Sequence, residues 1–86
     1  MPLISVVIPL YNKQDYILRT IASVLNQSFS DLELLVIDDG STDRSIELLS
    51  SVSDSRLRIH THSNSGVSYT RNKGIELANS DIIAFL

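Results

Sequence analysis

Ile4-Ser5-Val6-Val7-Ile8, closed by Pro9, carries apolar side chains at nearly every position instead of every second one. A strand with one wet face alternates apolar and polar residues, so a run this continuous reads as a strand covered on both faces. Strands covered on both faces belong to parallel sheets, whose neighbouring strands must be joined by long crossovers, usually helical. The following segment fits such a crossover. Ile17, Ile21, Val24 and Leu25 stand at i, i+4, i+7 and i+8, which predicts an amphipathic helix over roughly 15–26 lying against the sheet.

The same alternation continues outward. Leu32 to Ile37 reads as a second strand, stopped by Asp38-Asp39-Gly40-Ser41-Thr42, whose small polar residues suit a turn and a helix N-cap. A second helix follows, with Ile46, Leu49 and Val52 inward. Leu57 to Thr61 is a third strand, in which Arg58 and His60 alternate with Leu57 and Ile59, the pattern of a half-exposed edge. Asn64-Ser65-Gly66 is expected to cap a third helix running to about Ala78, with Val67, Gly74 and Leu77 or Ala78 toward the sheet. Ile82 to Leu86 is a fourth, apolar strand. The fold class is therefore α/β: a partial doubly wound parallel sheet, βαβαβαβ, in the order 3-2-1-4.

Composition narrows the function. The chain has 86 residues, 43% hydrophobic and 20% charged, so it is one small domain with one core to build. A net charge of -3, with seven scattered Lys and Arg, offers no basic field for nucleic acid. Zero cysteines remove disulfides and thiolate metal sites. No apolar stretch approaches 18 residues and no leader is visible, so the expected compartment is the cytoplasm, with membrane association only through segments not present.

In doubly wound sheets, ligands bind outside the carboxyl ends of the strands, where the strand order reverses. That rule nominates residues directly. Asp38 and Asp39 end strand two; one of the pair can accept hydrogen bonds from a base or sugar, while the bland alternative is a cap on helix two or an Asx turn. Asp39 is the better ligand, because Asp38 lies closer to the strand and can turn inward to brace a loop. Pro9 sets the direction of exit from strand one, which would let an exposed Tyr11 stack on a heterocycle; the competing role is a core tyrosine. Lys13 suits a phosphate, or plain solvent. Arg71, four residues after Val67, is expected to share its sheet-facing side and to meet Asp38, Asp39 or a diphosphate. The amides of Ser65-Gly66-Val67-Ser68 favour an anion. His60 and His62 share a strand face but lack a third metal ligand.

Four segments carry a resemblance: Ser5-Val6-Val7-Ile8-Pro9-Leu10-Tyr11-Asn12, Ser23 to Phe29, Val36-Ile37-Asp38-Asp39-Gly40-Ser41-Thr42-Asp43, and Arg71-Asn72-Lys73-Gly74. In this order and spacing they resemble the N-terminal nucleotide-binding portion of a family 2 glycosyltransferase with the GT-A fold, over essentially the whole of residues 1–86. The resemblance implies that Pro9 to Tyr11 pack against a base such as uracil, that Asp39 hydrogen-bonds it, and that Arg71 reaches the nucleotide. It implies an enzyme that transfers sugar from a nucleoside diphosphate donor, a UDP-sugar first among them, to an acceptor hydroxyl with inversion. It also implies a divalent cation, Mn or Mg, held by an Asp-x-Asp motif after the strand resembling Ile82 to Leu86, with the catalytic base farther on. Neither lies within residues 1–86, so the C-terminal half of the domain is absent, no catalytic residue is assigned, and the chain alone is expected to bind nucleotide weakly and to transfer no sugar. The apolar fourth strand, last in the sheet, is expected to pair with a second copy as a homodimer. The alternative is a non-catalytic nucleotide-binding or assembly module. A dinucleotide oxidoreductase is disfavoured, since Pro9-Leu10-Tyr11-Asn12-Lys13 lacks the glycine pattern of that loop.

Overall fold

The computed structural model describes residues 2–86. Its elements are β1 (Ile4–Leu10), α1 (Ile17–Leu25), β2 (Leu32–Asp39), α2 (Ser45–Leu49), β3 (Leu57–His62), α3 (Val67–Leu77) and β4 (Ile82–Phe85). The four strands form one parallel sheet in the order β3-β2-β1-β4, with Ile4 beside Leu32 and Ile82, and Leu34 beside Leu57. Every residue of β2 is buried, as a central parallel strand requires.

Period-two alternation sorts the side chains onto two faces. Ile8, Leu10, Leu34 and Val36 face one side, where Ile17, Ile21 and Val24 of α1 and Leu49 of α2 complete a core. Val7, Leu35 and Ile37 face the other, where Leu77, Ala78 and Ile83 close over them. Gly74 sets the depth of α3: a Cβ there would lie 2.4 Å from Cγ1 of the fully buried Val7. Gly74→Ala is therefore expected to lose stability despite alanine's better helix propensity, by about 2 kcal/mol net. That is a fall of about 8–16 °C in Tm, and Val7→Ala in the same chain should recover part of it.

Some elements depart from the expectations. The helix α2 stops at Leu49 and leaves Val52 beyond it, because the hydroxyls of Ser50 and Ser51 donate back to the carbonyls of Glu47 and Leu48 at 2.6 and 2.7 Å. The edge strand β3 is where predicted, at the margin of the sheet, but its Ile59 is exposed. Arg56, just before β3, reaches back to the carbonyl of Leu25 at the end of α1 (3.0 Å) and pairs with Asp54, whose pKa it holds down to about 2. At the other margin, β4 presents exposed Ile82 and Phe85, and among the described residues its outer edge has no partner strand. No helix among the described residues is long and apolar enough to cross a membrane.

Beneath the sheet's amino end lies a carboxylate that sequence patterning does not single out. Glu33 is buried on β2 and accepts hydrogen bonds from Ser5 Oγ on β1 (2.5 Å), Arg58 Nη1 on β3 (2.7 Å) and the amide of Asn79 after α3 (2.6 Å). Burial alone raises its pKa, but the bonds from Ser5, Asn79 and Arg58 outweigh burial and leave it below the usual glutamate value.

Candidate functional site

Parallel pairing brings the carboxyl ends of β1, β2 and β3 to one rim, with Leu10 beside Asp38 and Asp39 beside His62. A cavity of 270 Å³ opens there, lined by Pro9, Leu10, Tyr11, Lys13, Asp39, Val67 and Thr70. Pro9, Tyr11, Lys13 and Asp39 thus meet in one place although the chain separates them. Tyr11 is 45% exposed and so presents an open ring instead of filling the core.

The two aspartates divide their work. Asp38 turns back and accepts the amide of Ser41 at 3.2 Å, bracing the turn as expected. Asp39 does something the sequence did not suggest. Its Oδ1 accepts the amide of Ser65 at 2.7 Å, and its Oδ2 accepts the amide of Gly66 at 3.1 Å and Asn64 Nδ2 at 3.2 Å. Asp39 therefore caps the entry to α3 from a neighbouring strand: it holds the amides of Gly66, the residue before the first helical position, and of Ser65 before that, while no side chain of Asn64-Ser65-Gly66 caps the helix. The anion expected at that helix start is, at Ser65 and Gly66, a side chain of the protein itself. Close approach makes this reach feasible: Gly40 sits at φ +71°, and a Cβ on it would lie 2.7 Å from the amide nitrogen of Asn64.

Arg71 and Val67 require correction. Val67 is 52% exposed, because the first turn of α3 stands over the rim beyond the sheet's apolar face, where it lines the cavity. The sheet-facing line of α3 runs through Thr70 and Gly74. Arg71 lies about 60° around the axis from Gly74, on the side opposite Thr70. It is exposed, does not line the cavity, and makes neither hydrogen bond nor ion pair among the described residues.

Residues that the sequence did not assign to the nucleotide complete the rim. The buried Thr70 donates its hydroxyl to the carbonyl of Gly66 at 2.8 Å. His62 packs edge-on against Tyr69 at 4.9 Å, with Nδ1 3.5 Å from Asp39 Oδ1 and Nε2 3.5 Å from Thr70 Oγ1. Its place opposite Asp39 is a matter of register, which strand patterning does not specify when the edge is half polar. Asp43, at the β2–α2 turn, accepts the amides of Gln14 (3.1 Å) and Ser45 (2.9 Å). Desolvation raises its pKa, but these bonds outweigh it and hold the carboxyl below the usual value. Among the described residues, no three His, Asp or Glu side chains are grouped so as to hold a metal ion.

The chain has known relatives. Residues 5–86 match the family model described as glycosyl transferase family 2. An uncharacterized glycosyltransferase of Haemophilus influenzae is 46% identical over 89 residues, covering 100% of this chain and 36% of that protein. Chondroitin synthase of Escherichia coli is 38% identical over 79 residues, covering 90% of this chain and 12% of its own length. The crystal structure of S. aureus TarS 1–349 in complex with UDP superposes with a TM-score of 0.89 at 28% identity, over 98% of this chain and 26% of that one. The chain spans well under half the length of these relatives.

Proposed function

Because the chain belongs to glycosyl transferase family 2, we propose that the rim cavity receives the base of a nucleoside diphosphate sugar, UDP-sugar first, for inverting transfer to an acceptor hydroxyl. The observation that carries the reading is the convergence of Pro9, Tyr11, Lys13 and Asp39 on one 270 Å³ cavity, in a fold shared with a UDP-bound protein. Tyr11 offers its ring for stacking. Asp39 offers an acceptor: a carboxylate has about four lone-pair sites, and Oδ1 takes the Ser65 amide at 2.7 Å with His62 Nδ1 3.5 Å away, so a base N–H can be accommodated without dismantling the cap. Lys13 lies where a phosphate's charge would be met, and Arg71 would approach the diphosphate from outside the cavity.

Chemistry beyond binding is not supplied by this rim. Asp38, Asp39 and Asp43 are all tied to backbone amides, which suits holding and positioning more than activating an acceptor. The divalent cation that the family implies, Mn or Mg, finds no donor set among the described residues. We therefore assign residues 1–86 donor recognition without transfer.

Thermal shift and calorimetric titration with UDP test the reading. UDP should raise Tm, and Tyr11→Ala should weaken binding by about 1–3 kcal/mol, the worth of one stacked base. A melting point indifferent to millimolar UDP in the wild type, with calorimetry equally silent, would sink it.

A further inference from the structure

The segment Gly40-Ser41-Thr42-Asp43 is more than a turn, because it is clasped to the loop that carries Tyr11 and Lys13. The amides of Asn12, Lys13 and Gln14 donate to Ser41 Oγ (3.0 Å), Ser45 Oγ (3.0 Å) and Asp43 Oδ2 (3.1 Å). In return, the amides of Thr42 and Asp43 donate to Asn12 Oδ1 (2.7 and 3.2 Å), and that of Arg44 donates to Gln14 Oε1 (2.9 Å). Each loop thus satisfies the other's backbone with its side chains.

Asn12 is the centre of this exchange. It has a φ of 50° and is the non-glycine residue with positive φ among the described residues. Asparagine tolerates that left-handed conformation better than most residues. Tyr11 and Lys13, its immediate neighbours, both line the rim cavity, while the Asn12 carboxamide is bonded to the β2–α2 loop.

We propose that Asn12 is a positioning residue for the nucleotide site: its carboxamide anchors the β1–α1 loop to the β2–α2 loop and so holds Tyr11 and Lys13 at the cavity before ligand arrives. The inference rests on the nucleotide reading above. Without the carboxamide the loop keeps only the bonds of Ser41, Ser45, Asp43 and Gln14, and the remaining ordering falls to the binding step, at a cost set by the side chains immobilised. The clasp is solvent-exposed, so water replaces Asn12 at the freed amides and the fold itself loses little.

The test compares wild type, Asn12→Gly and Asn12→Ala by UDP titration, thermal melting, and hydrogen exchange at the Thr42 and Asp43 amides. Glycine accepts the left-handed backbone, so Asn12→Gly isolates the carboxamide. It should bind UDP about tenfold more weakly, lose protection at both amides, and melt near the wild type; Asn12→Ala adds backbone strain and melts lower. Wild-type affinity in Asn12→Gly overturns the role of Asn12 alone, as does retained protection at both amides. Absence of UDP binding by the wild type overturns the nucleotide reading itself, and the positioning role with it.

Discussion

Asp39→Ala should melt about 12–24 °C below the wild type and lose measurable affinity for UDP. The first effect follows from the cap. Removing the carboxylate strips acceptors from the amides of Ser65 and Gly66 and from Asn64 Nδ2, and hydrogen bonds to a charged group are worth about 1.5–3 kcal/mol each before water compensates the more exposed donors. A net loss of about 3 kcal/mol is a large share of the roughly 4–13 kcal/mol available to a chain of this size, and each kcal/mol moves Tm by about 4–8 °C. Asp39→Asn should rescue only partly, because its NH2 must face one of the donors that Asp39 now accepts. Denaturant unfolding and UDP titration on the same samples separate the two roles. Unchanged stability with lost UDP binding would show that the cap contributes nothing, and unchanged binding would remove Asp39 from the site.

Glu33→Ala is the other large effect, at the opposite end of the sheet. It deprives Ser5, Asn79 and Arg58 of a common acceptor across three strands. Breaking a buried hydrogen-bonded pair costs about 3–5 kcal/mol; because Arg58 is 42% exposed and can rehydrate, about 3 kcal/mol is expected. The pH dependence has a definite sign. Glu33's folded pKa lies below its ordinary value, burial being outweighed by the bonds from Ser5, Asn79 and Arg58. Its ionised form therefore stabilises the fold above the unfolded value of about 4.3, and that stabilisation fades as pH falls through the lower folded value. In urea melts from pH 7 to pH 3, the wild type should lose stability below about pH 4, and Glu33→Gln should lose less over the same interval. Parallel pH profiles for the two proteins would refute this assignment.

How much was legible beforehand depends on the physical origin of each feature. Ile4 to Ile8 was readable as a doubly covered strand, Leu32 to Ile37 as a second strand, and Ile17, Ile21 and Val24 as a helix face, because burial imposes its period directly on the order of apolar residues. Tyr11 and Asp39 were placed at one rim by the topology rule alone, without a coordinate. Arg71 was misdirected because a four-residue spacing says which residues share a stripe, not how far that stripe is rotated from the sheet. The rotation is set by Gly74 seating on Val7. Alternation along β3 set Leu57 and Ile59 against Arg58 and His60, yet Ile59 is exposed while His60 is half-buried.

The amino-acid order determined the strands, the crossovers, the sheet order and the rim on which polar groups gather, since these rest on local periodicity and a small set of allowed connections. Only the tertiary structure decided which acceptor serves which donor: that Asp39 caps the entry to α3, that Asn12 clasps the β2–α2 loop, and that Glu33 ties three strands together. Such bonds between loops and strands join residues 25 to 31 positions apart, and a hydrogen bond depends on distances near 3 Å, which no pattern along the chain encodes.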